Sequence, residues 1–482
     1  MPMNINKVTS VYFIGAGGIG MSALIRYFQA KGKIVAGYDR TPSLLTDQLA
    51  EEGVDIHFTD DVTLIPDEFL DKNKTLVVYT PAVPSWHTEL AFFREKGFTL
   101  LKRSEVLGLI TASSCCLCVA GTHGKTTTSS MAAHLLRQSK VNCDAFLGGI
   151  LKNYDSNLLL SEFNVVVVVE ADEYDRSFHC LSPCMAVITS ADPDHLDIYG
   201  SPQAYRESFE KFTSLIRPGG ALIMKKGIEI TPSLQPNVSF FTYSATDESA
   251  DFHARNIRAG NGELIFDFVA PCFDQGGRGE RLWFENGEVS TDFRMNNVKI
   301  GVPVRTNIEN SIAAMALALL NGVTPEEIYT AMKRFAGVQR RFDVQVKNDR
   351  VVYIDDYAHH PQELRSSILS IKELYEGRKV TGVFQPHLYT RTQDFATAFA
   401  EALSLLDRLI LLDIYPAREE PIPGVTSEII FDKVTLHSKR LCKKEELLEL
   451  LENEEVEVLV TFGAGDIDRF VEPIRQLLNR KY

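Results

Sequence analysis

The run Gly121-Thr122-His123-Gly124-Lys125-Thr126-Thr127-Thr128 carries the densest chemistry in the chain. It follows the apolar stretch 115–120 and precedes residues Met131, Ala132, Leu135 and Leu136, which suit one face of a helix. Strand, glycine turn, lysine, threonine, helix is the layout of a phosphate cradle. Glycines let backbone N–H groups converge on phosphate oxygens, and the helix N-terminus adds partial positive charge. Lys125 in such a cradle reaches the β- and γ-phosphates, and the Thr126 hydroxyl holds Mg²⁺. The first glycine of the longer G-x-x-x-x-G-K-T pattern falls on Val119, so the motif is short. A plain strand-to-helix turn with a solvated lysine is the competing reading.

Two apolar strands further on end in groups that complement this turn. Residues 165–169 run into Glu170-Ala171-Asp172-Glu173, and 186–189 lead to Asp192-Pro193-Asp194-His195-Leu196-Asp197. Strand ends of a parallel sheet share one edge, where ligands bind. Glu170 and His195 are therefore candidates to complete a Mg²⁺ shell begun by Thr126. Carboxylate and hydroxyl oxygens suit so hard an ion and an imidazole is unusual for it; a turn histidine at a helix start is the alternative for His195.

Elements that must position these groups are legible on both sides. Strand 8–14 enters Gly15-Ala16-Gly17-Gly18-Ile19-Gly20 and a helix near Met21, while Asp39 follows a second apolar run nineteen residues after Gly20. That is a dinucleotide fingerprint, although such a turn welcomes the pyrophosphate of a nucleotide-sugar equally well. Residues 236–300 show hairpin signals at 260–262, 276–277 and 286–287 and read as an antiparallel extension. Residues 335–338 look like a hinge. In the last third, strand 351–354 ends at Asp355-Asp356-Tyr357-Ala358-His359-His360-Pro361 and strand 380–384 at Gln385-Pro386-His387-Leu388-Tyr389-Thr390-Arg391. Strand 409–412 precedes the loop 415–421. Strand 456–460 leads to Gly463-Ala464-Gly465-Asp466 and a closing helix expected to kink at Pro473. Strand ends rich in Asp, His and Arg suit anionic ligands.

A chain of 482 residues exceeds what one hydrophobic core organises, so several α/β units are expected. The net charge of −14 argues against a nucleic-acid partner. No stretch is long and apolar enough to span a bilayer and the first ten residues are polar, which makes the cytoplasm the expected compartment. The eight cysteines show no paired framework.

Taken together and in this order, the motifs resemble those of the Mur ligase family of bacterial cell-wall enzymes over nearly the whole chain. The resemblance implies a three-domain α/β fold. A Rossmann-like, UDP-sugar-binding domain would span 1–107 and a P-loop ATPase-like central domain with the antiparallel extension 108–338. A Rossmann-like, amino-acid-binding domain would span 339–482. It further implies that ATP phosphorylates the carboxylate of UDP-N-acetylmuramate and that the amine of L-alanine displaces phosphate from the acyl phosphate, with Mg²⁺ assisting.

Carried over position by position, Lys125, His195 and Glu170 would be catalytic, and Thr126, Glu170 and His195 would hold the metal. Gly121, Thr122, Gly124, Lys125, Thr126, Thr127, Asn310, Arg341 and Asp356 would bind ATP. Gly17, Gly18, Gly20, Asp39 and His123 would bind the nucleotide-sugar, and Tyr357, His387 and Arg391 the amino acid. The resemblance leaves monomer and homodimer open, and the hinge implies closure on ATP.

Two positions depart from the family pattern. Leu388 stands where alanine-adding members usually carry Arg, and Thr306 where the pattern often has His. Phe209 aligns with a modified lysine of later-acting relatives, and its presence resembles the alanine-adding branch. A tripeptide-recycling ligase of the same family is the nearest rival, followed at a distance by an NAD-linked oxidoreductase and a nucleotide-gated binding protein.

Overall fold

Five short segments near the start of the chain pair with one another: β1 (Ser10–Ile14), β2 (Ile34–Tyr38), β3 (Asp55–His57), β4 (Thr75–Tyr79) and β5 (Thr99–Lys102). They form a parallel sheet in the order β3-β2-β1-β4-β5. Alternation along β1 divides its side chains between two faces. Val11 and Phe13 join the cluster with Leu24, Ile25 and Phe28 of the helix Ile19–Ala30, and Tyr12 and Ile14 join Phe69, Leu90 and Phe93. Both faces are covered, as parallel sheets require. Strand order reverses between β1 and β4, which opens a crevice at their C-terminal ends, directly at the Gly15–Gly20 turn.

The computed structural model describes residues 8–162, 166–260, 262–271, 283–285, 288–290, 292–417 and 419–482. Val165, Asn261, Gly276-Gly277, Asn286-Gly287 and Arg418, all within the stretches read above, lie outside them. Two compact units divide the chain, one comprising 1–255, 268–296 and 309–334 and the other 256–267, 297–308 and 335–482.

A second sheet of the first unit contains β6 (Cys115–Ala120), β7 (Asp144–Leu151), β8 (Ser156–Leu159), β9 (Val166–Glu170), β10 (Pro183–Ile188), β11 (Ala221–Lys225), β12 (Ser239–Ser244) and the start of β13 (Phe252–Gly260). Their order is β8-β7-β9-β6-β10-β11-β12-β13. The pairs are parallel except β7 with β8. The strand β6 is central, so the turn after it lies between the ends of β9 and β10. Register sets Val119 beside Glu170 and Ala120 beside Ile188. Strand β14 (Glu263–Pro271) lies beside β13, and β15 (Trp283–Glu285) pairs antiparallel with β16 (Glu288–Ser290), ahead of β17 (Asp292–Lys299). Phe209 is fully buried on the helix Pro202–Thr213, its ring against Phe178 and Tyr205 at 5.2 Å from each.

In the second unit β18 (Asp343–Lys347), β19 (Val352–Asp356), β20 (Val380–Phe384), β21 (Arg408–Leu411), β22 (Lys439–Leu441) and β23 (Val458–Phe462) line up as β18-β19-β23-β20-β21-β22. Only β18 runs antiparallel to its neighbour. The expected kink at Pro473 is absent. A 3₁₀ turn, Asp466–Phe470, ends before the helix Val471–Lys481 starts, which puts Pro473 in the first turn, where its missing N–H leaves no bond unmade. Among the described residues no helix is long and apolar enough to cross a membrane.

Beneath the first sheet's C-terminal edge lies a buried polar network. The Tyr12 hydroxyl lies 2.8 Å from Glu89 Oε2 and 2.8 Å from His57 Nε2, and Glu89 Oε1 is 3.3 Å from the same nitrogen. Burial pushes the Glu89 carboxyl up to about 7, the Tyr12 bond opposing. A carboxyl raised this way favours the fold below its unfolded value of about 4.3 and loses that contribution as pH climbs through its folded value. Glu89→Gln, whose amide can accept from Tyr12 and donate to His57, should therefore stabilise the protein at pH 8 by roughly 1–3 kcal/mol and leave it unchanged near pH 4. Thermal melts across that range check this.

Candidate active site

Lys125, the first residue of the helix Lys125–Arg137, folds back over its own turn. Its ammonium donates to Gly121 O at 2.6 Å and Thr122 O at 3.3 Å, and lies 2.9 and 2.8 Å from the two carboxylate oxygens of Glu173. Burial opposes this charge, yet Glu173, Glu170 and Asp172 outweigh it and hold the lysine pKa above its ordinary value. Gly121 (φ +142°) and Gly124 (φ +83°) adopt backbone conformations that side chains resist. A Cβ on Gly121 would lie 2.1 Å from Thr189 Oγ1, and one on Gly124 2.7 Å from Asn310 Oδ1. The turn is moored to the end of β10. Thr189 Oγ1 donates to His123 O at 2.5 Å, His123 N–H to Ser190 Oγ at 2.8 Å, and Thr122 Oγ1 to Asp192 O at 2.7 Å. Asn310, on the helix Thr306–Leu320, accepts from Thr128 Oγ1 at 3.1 Å. Thr127 is the third residue of the lysine helix.

Thr126 Oγ1 donates to Glu170 Oε1 at 3.0 Å, and Gly148 N–H donates to Glu170 Oε2 at 3.1 Å. A hydroxyl and a carboxylate side by side are hard oxygen donors that fit Mg²⁺. His195 is held differently. It takes φ +52°, its Nε2 is 3.8 Å from Asp194 Oδ2, and its ring stands edge-on to Tyr174 at 5.1 Å. Among the described residues no hydrogen bond joins it to Thr126 or Glu170, and no group of three or more His, Cys, Asp or Glu side chains is arranged to hold a metal alone. Two of the three expected metal residues are thus together and the third is apart.

The glycine turn after β1 and the acidic end of β9 share one cleft of about 240 Å³. Gly18, Gly20, Thr80, Arg103, Glu170 and Asp172 are among its walls. Arg103, absent from the sequence reading, rests against Gly20, where a Cβ would lie 2.7 Å from its Nη1, and donates to Asp172 Oδ2 at 2.8 Å. Asp39 Oδ2 accepts from Gly17 N–H at 2.7 Å and Oδ1 from Thr41 N–H at 3.1 Å. Its carboxylate therefore stiffens the glycine turn.

In the second unit Asp356, expected to reach ATP directly, is turned inward. It accepts from Ser367 Oγ at 2.6 Å and Ala358 N–H at 3.3 Å, and burial pushes it up to about 6. Arg341 lies over the Tyr357 ring at 4.9 Å. The neighbouring Arg340 reaches the fully buried Asp355 at 3.2 Å and Gly463 O at 2.6 Å. His387 stacks on Tyr415 at 5.8 Å and meets His359 edge-on at 6.1 Å. Arg391 lies in the first turn of the helix Tyr389–Leu403 and, after burial, helps to hold the pKa of half-buried His359 below its ordinary value, Glu363 opposing. Leu388, before that helix, takes φ +70°.

Family models match three consecutive stretches: "Mur ligase family, catalytic domain" at residues 10–114, "Mur ligase middle domain" at 119–318 and "Mur ligase, glutamate ligase domain" at 340–465. The chain belongs to the Mur ligase family. It is 65% identical to the UDP-N-acetylmuramate–L-alanine ligase of Parabacteroides distasonis over 99% of this chain and 98% of that one. Identity to the enzyme of the same name from Phocaeicola vulgatus is 59%, over 99% and 100%. The crystal structure of a UDP-N-acetylmuramate-alanine ligase from Thermotoga maritima matches with a TM-score of 0.79 at 27% identity, covering 98% of this chain and 100% of that chain.

Within this Mur ligase sequence reasoning missed Arg103 and the ion-pair roles of Glu173 and Arg340. Each is a partner in a long-range ion pair, which no local spacing announces. Gly121→Ala should cost about 2 kcal/mol or more by strain and overlap with Thr189, and should weaken binding of an ATP analogue at least about tenfold. Urea unfolding and calorimetric titration measure the two effects.

Proposed function

We propose that the chain is an ATP-dependent ligase joining L-alanine to the carboxylate of UDP-N-acetylmuramate, a step in making peptidoglycan precursors. The single observation that carries this reading furthest is the cleft shared by the Gly18–Gly20 turn and Glu170, because it sets a diphosphate-binding turn beside the acidic edge of a phosphate loop. A carboxylate is a poor electrophile. Its oxygen attacks the γ-phosphorus of ATP, the bond to the ADP oxygen breaks, and the resulting acyl phosphate carries a good leaving group. The amine of L-alanine then bonds to the acyl carbon, phosphate departs with the C–O electron pair, and the nitrogen loses a proton.

Reaction between two anions needs positive charge at the moving phosphoryl group, and Lys125 supplies it from a water-poor site. Gly121, Thr122, Gly124 and Thr127 contribute the turn and helix start that receive ATP phosphates, with Asn310 beside them. Arg341 and Asp356 belong to the same proposal for ATP. Thr126 and Glu170 would hold Mg²⁺, with His195 assigned to the same edge; the ion supplies further charge neutralisation. Gly17, Gly18 and Gly20 would take the diphosphate with Arg103, Asp39 would hold their turn, and His123 would face the sugar. His387, Arg391 and Tyr357 would take the amino acid, Arg391 carrying the carboxylate recognition that Leu388 cannot. The three-domain division at 107 and 338 and a cytoplasmic location, where ATP and a nucleotide-sugar are both consumed, belong to the same reading.

ADP release should require ATP, UDP-N-acetylmuramate and L-alanine together. Lys125→Ala should lower kcat/KM about a hundredfold or more. Arg103→Ala should raise KM for the nucleotide-sugar about tenfold and leave KM for ATP in place. ADP release without the nucleotide-sugar, or an Arg103→Ala effect confined to ATP, would contradict the assignment.

A further inference from the structure

Five consecutive side chains after β9 reach five different partners. Asp172 holds Arg103 at 2.8 Å, Glu173 holds Lys125 at 2.8 Å and Tyr174 meets the His195 ring. Asp175 holds Lys102 at 2.7 Å, and the Arg176 guanidinium lies 4.6 Å above the Tyr199 ring. Asp175 (φ +53°) and Arg176 (φ +54°) are successive non-glycine residues in left-handed conformation. Such a pair persists only where surrounding contacts over-determine it. The strap is thus tied by its ion pairs, and two of the cations it ties are those that the proposed function assigns to the phosphates of the two large substrates.

Neither cation is idle. Lys125 is neutralised by a carboxylate whose side chain is 3% exposed, and Arg103 by one that is 37% exposed. A triphosphate cannot be received by Lys125, nor a diphosphate by Arg103, until those carboxylates yield. Resting on the ligase reading above, we infer that Asp172 and Glu173 are resident counter-ions that the two substrates displace together. ATP phosphates take Lys125 from Glu173, the nucleotide-sugar diphosphate takes Arg103 from Asp172, and either exchange loosens the one strap that holds both. Whichever substrate binds first bears most of the rearrangement, and the second meets a site already released. Asp172 and Glu173 are positioning residues in this scheme: they act through Arg103 and Lys125 and couple the two binding events.

Calorimetric titration of the full chain with AMP-PNP in magnesium buffer and with UDP-N-acetylmuramate, each alone and each with the other saturating, tests the exchange. In the native protein each ligand should tighten the other about fivefold or more. Glu173→Gln should bind AMP-PNP alone more tightly by a similar factor, Asp172→Asn should do so for UDP-N-acetylmuramate, and in both the coupling factor should fall toward one. Thermal melts establish that each variant is folded. Should Glu173→Gln not fold, the half-exposed Asp172→Asn decides alone. Weaker AMP-PNP binding by folded Glu173→Gln, or native coupling retained in Asp172→Asn, overturns the exchange. A native protein that binds both ligands without coupling also overturns it, and one that binds neither overturns the ligase reading together with the exchange.

Discussion

A buried ammonium surrounded by carboxylates is the constraint on which the rest depends. Lys125 cannot leave water without compensation, and removing one partner of such a buried pair costs about 3–5 kcal/mol. Glu173 and the Gly121 carbonyl provide that compensation at 2.8 and 2.6 Å. To keep them there, Gly121 and Gly124 must take conformations closed to other residues, and the end of β10 must moor the turn through Thr189 and Ser190. The central place of β6 between β9 and β10 follows from the same need, because only there do both neighbouring strand ends flank one loop. Charge held in a dry site is electrostatically strong.

Most of the fold was legible because its strands are short, apolar and bounded by glycine or acidic turns. The strands Ser10–Ile14, Cys115–Ala120 and Val380–Phe384 fall on the segments read from the sequence. Strands β7 and β8 were not foreseen, and Phe146-Leu147-Gly148-Gly149-Ile150-Leu151 carries two glycines, which weaken a strand pattern. Gly148 has a specific reason to lack a side chain: a Cβ there would lie 2.3 Å from the Glu170 carboxylate. The closing helix was misjudged for a related reason. Proline in a helical pattern signals a kink, but in the first turn it signals a start.

The candidate site divided along the same line. Residues whose role depends on local backbone, such as Gly121, Gly124, Lys125 and Thr126, were visible from spacing. Residues whose role depends on what comes near them were not. Arg103 sits at a helix start like many solvated arginines, and only the approach of Gly20 and Asp172 gives it meaning. Asp39 was visible and its geometry differs from expectation, since the carboxylate is occupied by the Gly17 and Thr41 amides. His195 shows the same limit, as its strand end was foreseen and its side-chain direction was not.

Packing also bears on which Mur ligase this is. Phe209 fills the position aligned with the modified lysine of later-acting relatives, and it does so inside a cluster with Phe178, Phe212 and Tyr205. A lysine there would lie in an apolar core. The central claim is that the acid oxygen of the nucleotide-sugar becomes bonded to phosphorus before the amide forms. Mass spectrometry of the phosphate released from UDP-N-acetylmuramate carrying oxygen-18 in its carboxylate tests this directly. The account predicts one labelled oxygen in each phosphate formed, and phosphate free of label alongside normal amide yield would contradict it.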